Sequence, residues 1–441
     1  MPDRNDRGNA LAAKGPLRGI KQYALHQLVA NYWSLPLIAV FGAPVIGALV
    51  LWADRQFAAQ WLFERGVTLL VAGDTAQDLA IAIVGVNAAL LTLYWSVTLI
   101  VLTLATGNLG VRLVDRWLDK VLTRVSVAGL TFCLVFSIAV LTRIDPESGL
   151  SELPHFALAV LFALELVNIA MLGVAIHDLG RTMFVDRSIA HLGTEASSIA
   201  VPIVPAEPFT GKWCFTLNAP REGYVEGIDL ARLCKRLGSE GHIRLCAAPG
   251  QHVLMGEPLV RFEHEPETTK PVLRAIAIGD YRSSVQSTVY QVRLLVEVAA
   301  RALSPGINDF YTALACADQL AAAMAGHART WVDDGLVPAY KHAPRFELPG
   351  QDFRGLFEKP LKGFRQAAAD YPSVSIRMIE NYCRLCALLE ARNCPEGMLA
   401  FLRQCARDLR DQAMACAQFE SDRADIAQAF GRMLAEEGNG A

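Results

Sequence analysis

Four long apolar stretches fill the first half of the chain, and beyond them hydrophobic positions come only in short alternating or helical runs. Ser34–Trp52 contains no charge and is about long enough to cross a hydrocarbon core at roughly 1.5 Å per residue. Leu79–Thr106 is longer and also uncharged, so it must tilt or continue past the bilayer. Val125–Leu141 and Leu153–Ile176 complete two hairpins, the second turned through Pro146 and Gly149. The pattern predicts a four-helix transmembrane domain over residues 34–186. Ahead of it, Leu17, Ile20, Ala24 and Leu28 fall at helical spacing with Lys14, Arg18 and Lys21 off that face. Residues 1–33 therefore read as a cytoplasmic amphipathic segment at the membrane surface, or as a plain surface helix.

After span four the pattern changes. His177–Arg187 carries charge yet keeps helical spacing, which predicts a rigid joint leaving the membrane. Pro202, Pro205 and Pro208 then forbid helix and favour an extended connector over 187–208. Residues 209–280 show short β-type runs punctuated by Gly and Pro, with Leu230–Leu237 as one short helix. Residues 281–441 return to helical periodicity. Leu294, Leu295 and Val298 mark one apolar face, and Phe353, Leu356, Phe357, Leu361 and Phe364 mark another; a last helix is capped by Ser421. The fold class is α+β: a four-span α-helical membrane domain, a small β module and an α-helical cytoplasmic domain.

Polar residues on apolar helices are the first candidates for function, because an unpartnered polar group in hydrocarbon is costly. Span two carries Asn87, Ser96, Thr103 and Asn108, and span four carries Glu165 and Asn168 one turn apart on one face. That pair suits ion or proton passage. It also suits an interhelical hydrogen bond, or a carboxyl kept neutral by its surroundings. Gly85, Asn87, Ser96, Thr103 and Asn108 together give span two small and polar positions suited to packing against copies of itself, which points to a homo-oligomer.

The second candidate is the turn from Arg301 to Thr312. Arg293, Glu297 and Arg301 lie four residues apart on one polar line and can form consecutive ion pairs. Ser304-Pro305-Gly306-Ile307 ends the helix, with Gly306 able to take a positive φ. Asn308 is then expected as the N-cap of the next helix, with Asp309 just inside it. A capped, ion-paired helix hairpin explains these residues. The sharper alternative is a polar node, Arg293, Glu297, Arg301, Asn308 and Asp309, that contacts a ligand or a neighbouring subunit.

Short strings of residues carry two resemblances. Gly223-Tyr-Val-Glu-Gly-Ile-Asp229 and Pro249-Gly-Gln-His-Val-Leu-Met-Gly-Glu-Pro-Leu259 are similar to the half-motifs of barrel-sandwich modules such as lipoyl and biotinyl carriers. Lys235 falls on the short helix and Lys212 and Lys270 lie outside the half-motifs, so the likeness implies a barrel-sandwich shape and not a carrier role. Ile278-Gly-Asp-Tyr-Arg-Ser-Ser-Val-Gln286 and the string Arg301-Ala-Leu-Ser-Pro-Gly-Ile-Asn-Asp309, with Asn31-Tyr-Trp33 and the Ala105-Thr-Gly-Asn-Leu-Gly110 end of span two, resemble the bacterial membrane proteins of domain-of-unknown-function family 2254. The resemblance implies an inner-membrane protein and supplies no substrate. This chain has Phe310 where that family continues with Pro, and Ser287 where it continues with Asp.

Composition narrows the function classes. Hydrophobic residues make up 53% of the 441, which agrees with membrane segments, and a net charge of −3 leaves no basic excess for nucleic acid. Arg4, Arg7, Lys14, Arg18 and Lys21 precede span one, and Arg112, Arg116, Lys120 and Arg124 lie between spans two and three. The loop from Ala53 to Asp78 has only Arg55 and Arg65, so both termini are expected in the cytoplasm of a bacterial cell. The 10 cysteines fit reduced thiols there, and Cys383 and Cys386, lacking a second pair, read as small core residues rather than metal ligands. Phosphate loops, nucleophile elbows and zinc-helix motifs are missing, so no catalytic residue, cofactor or metal is expected. Three readings remain: a non-enzymatic inner-membrane protein with a regulatory or scaffolding domain, a homo-oligomeric channel or transporter lined by span two that passes an ion or small polar ligand, and a membrane-anchored enzyme.

Overall fold

The computed structural model describes residues 33–65, 73–109, 121–147, 152–182, 185–237, 241–280 and 288–439. The chain divides into two compact units between residues 184 and 185.

The first unit contains α1 (Ser34–Ala53), continued through a π-wound turn (Asp54–Ala58) into α2 (Ala59–Glu64), then α3 (Gly73–Leu109), α4 (Val121–Leu141) and α5 (His155–Thr182). Four of these helical stretches are long and apolar enough to cross a membrane: Ser34–Gln56, Gly73–Leu104, Val121–Leu141 and His155–Arg181. Each buries a narrow stripe and leaves its other faces apolar and exposed, as lipid-facing helices do. On α3 the stripe is Ala76, Ala80, Ile83, Asn87, Tyr94, Thr98 and Val101. On α5 it is Leu158, Leu161, Glu165, Asn168, Leu172, Ala175 and Leu179. Steps of three, four and seven keep one seam facing inward, the geometry of left-handed helix packing. Small residues bring the backbones close: a Cβ on Gly47 of α1 would touch Ala139 and Phe136 of α4 at 3.4 and 3.5 Å. The amphipathic segment expected over residues 1–33 lies outside the described residues, apart from Trp33.

The second unit starts with α6 (Val185–Ala196), which packs on α9 (Thr288–Ala302) and α10 (Phe310–Gly326). Gly193 permits that approach, because a Cβ there would overlap the Gln319 side chain. Among the described residues nine strands follow: β1 (Ile203–Ala206), β2 (Phe215–Asn218), β3 (Gly223–Ile228), β4 (Ile243–Leu245), β5 (His252–Val253), β6 (Pro258–Phe262), β7 (Ile276–Gly279), β8 (Val337–Tyr340) and β9 (Ala343–Glu347). Short helices α7 (Leu230–Arg236) and α8 (Lys270–Leu273) interrupt them. One sheet has six strands in the order β1-β8-β9-β4-β6-β2, and the other has three, β5-β3-β7. Val225, Leu233, Val260, Val272 and Phe346 fill the core between them.

This corrects the expected boundaries. The stretch read as a connector is α6 and β1, both integral to this unit. β1 tolerates Pro205 because it is an edge strand, with that residue opposite Pro338 of β8. β8 and β9 come from the segment expected to be wholly helical, and Ile243 of β4 pairs in parallel with Phe346 of β9.

The helical layer is α9, α10, α11 (Phe353–Ala368), α12 (Pro372–Glu390), α13 (Glu396–Cys416) and α14 (Glu420–Asn439). The anticipated apolar positions Leu294, Leu295, Val298, Phe353, Leu356, Phe357, Leu361 and Phe364 are all buried, as are Cys383 and Cys386. Ser421 falls inside the first turn of α14, which begins at Glu420, and so is not its cap.

Candidate functional site

The inward seam of the first unit carries polar side chains in layers. Asn87 on α3 and Glu165 and Asn168 on α5 meet Cys133 on α4, and all four are buried, Asn87 at 0%, Cys133 at 0%, Asn168 at 4% and Glu165 at 6% relative exposure. Asn87 Nδ2 donates to Glu165 Oε2 at 2.6 Å and to the Ile83 carbonyl at 3.0 Å. The Cys133 thiol lies 3.7 Å from Glu165 Oε2 and donates to it. Asn168 Nδ2 donates to the Gly129 carbonyl at 3.3 Å. Gly129 is what lets α5 come so near, since a Cβ there would sit 2.8 Å from both Asn168 Oδ1 and Met171 Cε. Asn87 Oδ1 and Glu165 Oε1 remain without a hydrogen-bond partner.

Apolar layers close the seam on both sides of this cluster. Ile83, Phe136, Leu158 and Leu161 pack on one side, and Val127, Leu130, Leu172 and Ala175 on the other. Further out, Asp54 accepts from the Phe156 and Ala157 amides at 3.1 and 2.9 Å, so a carboxylate from the end of span one caps the start of span four. Tyr94, Thr98, Thr123 and Arg124 are buried toward the other end of the unit. The arrangement can hold a proton or a small charge between three helices, screened from solvent by packed hydrocarbon.

Asn87, Glu165 and Asn168, singled out by their place in apolar helices, do come together. The five span-two positions proposed for self-packing do not share a face: Asn87 points inward to Glu165, whereas Gly85, Ser96 and Thr103 are exposed. A two-residue step turns a helix by roughly 200°, which separates Gly85 from Asn87. The Asn108 side chain lies outside the described residues. Cys133, Asp54 and Tyr94 were missed: a thiol or phenol within an apolar run looks like packing, and an aspartate after span one looks like loop.

The turn in the second unit is closed by backbone hydrogen bonds and a helix cap. The Ile307 and Asn308 amides donate to the Ser304 carbonyl at 3.0 and 2.9 Å, and the Asp309 amide reaches back to the Ala302 carbonyl at 2.8 Å. Asn308 takes a positive φ of 51°, and Gly306 does not take one. Asp309, not Asn308, is the N-cap of α10: its Oδ1 accepts from the Thr312 amide at 3.1 Å and its Oδ2 from the Thr312 hydroxyl at 2.6 Å. The reason is that Asn tolerates the left-handed region better than most residues, which passes the capping role one place on. Arg293, Glu297 and Arg301 are half-buried on α9, and none of the three is without an interaction. Beside them Ile307, Phe310 and Tyr311 are exposed, with the two rings 4.3 Å apart. Arg282, Gln286 and Ser287 lie outside the described residues.

Burial, and then the Asp309 carboxylate, push the Cys316 thiol up, and burial raises that of Cys405 to about 12, so neither is a ready nucleophile. Burial lowers the His327 imidazole, whose Nε2 lies 2.9 Å from the Ala196 carbonyl at the end of α6.

The family model described as Predicted membrane protein (DUF2254) matches residues 30–382, across both units. The chain belongs to the DUF2254 family. Uncharacterized protein Rv1290c of Mycobacterium tuberculosis and uncharacterized protein Mb1321c of Mycobacterium bovis are each 24% identical to it over 439 residues, covering 92% of this chain and 81% of theirs. No solved structure matches it. For this DUF2254 protein, then, the membrane assignment has support from the family and from four suitably long apolar helices.

Proposed function

We propose that this DUF2254 protein is a multi-pass protein of the bacterial inner membrane, without catalysis of its own, whose second unit is cytoplasmic and regulates or scaffolds the four-helix unit. The observation that carries this reading is how polar groups are used. In the second unit the carboxylates of the turn and the sheet are spent on caps and ties: Asp309 on Thr312, and Glu347 on Arg244 and the Phe209 amide. The four-helix unit, in contrast, holds Glu165 deep in its seam. Orientation is supported by the positive residues flanking the first span and the span two to three loop. Thiol labelling tests it, since Cys214 and Cys416 are exposed in the second unit. A membrane-impermeant maleimide should modify them in inverted vesicles and spare them in intact cells; modification in intact cells would reverse the topology.

The second reading is a homo-oligomeric channel or transporter lined by span two. It is favoured by one stripe of α3, where Gly85, Thr92, Ser96 and Thr103 stand exposed at steps of seven, four and seven. Thr92, Ser96 and Thr103 each donate to the carbonyl four residues back, at 2.8, 2.9 and 2.7 Å, so the stripe can face lipid or a second copy without an orphaned hydroxyl. A monomer by native mass measurement, or ion flux in liposomes untouched by Ser96→Leu and Thr103→Leu, would remove this reading.

A further inference from the structure

Among the buried oxygens of the four-helix seam that lack a hydrogen-bond partner are Thr98 Oγ1, Glu165 Oε1 and Asn87 Oδ1, and the last two belong to groups already joined by the 2.6 Å contact between Asn87 Nδ2 and Glu165 Oε2. A carboxylate only accepts, so an ionised Glu165 would leave both oxygens unmatched in an apolar interior. A protonated carboxyl has one O–H donor, and an acid faces an amide through two hydrogen bonds side by side, the amide N–H to one carboxyl oxygen and the acid O–H to the amide oxygen. One proton shared side by side with that contact would satisfy both atoms. We propose that Glu165 is a proton-binding site, holding the proton on Oε1 and donating it to Asn87 Oδ1, and that release of this proton leaves a buried charge held by the Asn87 amide and the Cys133 thiol.

The surroundings favour a proton over a metal ion. A hard cation gathers about six oxygens, whereas the cluster offers two spare ones, on Glu165 and Asn87. Of the elements packed on α5, α3 presents the Asn87 amide, α4 presents the Cys133 thiol, and α1 turns Ala39, Ala43 and Gly47 inward; the π-wound turn and α2 bring Asp54, spent on the Phe156 and Ala157 amides, and the exposed Arg55 and Glu64. On α5 itself the next titratable groups are His155, beside Asp54, roughly 15 Å away along the helix, and His177 with Asp178, roughly 18 and 20 Å away on the other side. No fixed positive charge among these faces Glu165 to hold it ionised. The step balances simply: the carboxylate takes H⁺ from water and becomes a neutral acid.

Exchange of that proton would make the helix contacts of the unit respond to the proton gradient. The inference rests on reading the helices as membrane-spanning, but its test is separate from the labelling of Cys214 and Cys416. The full-length protein in lipid nanodiscs should show the infrared C=O band of a protonated carboxylic acid at neutral pH. Glu165→Gln should abolish the band, and Asn87→Leu should shift it by removing the acid's acceptor. A hydrophobic carbodiimide, which attacks neutral carboxyls, should add once, on the peptide containing Glu165. Absence of the acid band in the wild type, or a band that survives Glu165→Gln, overturns the proposal. So does a band lost on adding sodium or potassium chloride at constant pH, which would assign the site to a metal cation. These readings on the wild-type protein stand even if a variant fails to fold.

Discussion

Asp309 and Glu165 are both carboxylates at the centre of a small hydrogen-bond network, and they differ in where their partners come from. Asp309 has both oxygens filled by Thr312, three residues away on the helix it caps. Glu165 draws its donors from Asn87 and Cys133, 78 and 32 residues away in sequence and on two other helices, and still has an oxygen to spare. A locally saturated carboxylate is explained once the helix end is explained. An under-satisfied one assembled from three helices demands a further reason, because the chain could have placed leucine there at less cost.

The sharpest way to break this contrast is Asn87→Leu, which strips Glu165 of its main donor inside the packed seam and should cost about 3 kcal/mol, the upper end of the penalty for orphaning a buried polar group. Thermal unfolding in detergent reads the loss; Glu165→Gln, which keeps a donor for Asn87 Oδ1, should leave the midpoint nearly unchanged. Equal losses for the two would make the cluster ordinary structural glue.

Gly129→Ala should come next, at about 2 kcal/mol, as is usual for one methyl too many in a close-packed site. Asn168→Ala in the same chain should recover part of it, a coupling that a double-mutant cycle would measure and that additivity would refute. In the other region, Asp309→Ala should cost about 1 kcal/mol, a normal N-cap loss, with Asp309→Ser recovering most of it. Should Asp309→Ser instead abolish oligomerisation or flux at full stability, the turn would have a role beyond capping.

The smallest effect concerns His327. Its folded-state pKa lies below the unfolded value of about 6.5, so the unfolded chain binds the extra proton and stability is lost as pH falls below that value. His327→Gln should flatten this acid limb of the unfolding midpoint against pH, and an unchanged limb would mean that other groups set it.

Much of the architecture was legible because hydrophobic period and length are strong signals: the four apolar helices and the buried faces of α9 and α11 follow from spacing alone. The sheet was harder. β8 and β9 are short and carry Pro338 and Pro344; they pair with each other locally, but gain β1 and β4 as their other partners across long separations that no local pattern records. Glu165, Asn87 and Asn168 were readable as polar residues in apolar helices, but their mutual contact depends on which face each helix turns inward. Asn308 and Asp309 show the limit at finer scale, since either residue type can cap a helix and only the φ of the first decided between them.

The parallel pairing of Ile243 with Phe346 also sets a clock on synthesis. A ribosome adding about 5–20 residues per second delivers β4 roughly 5–20 seconds before β9, and for that interval one edge of β4 has no native neighbour. This chain therefore has a built-in waiting period in which β6 covers one edge of β4 and the other stays open, and slowing translation between residues 245 and 337 should raise the fraction that aggregates.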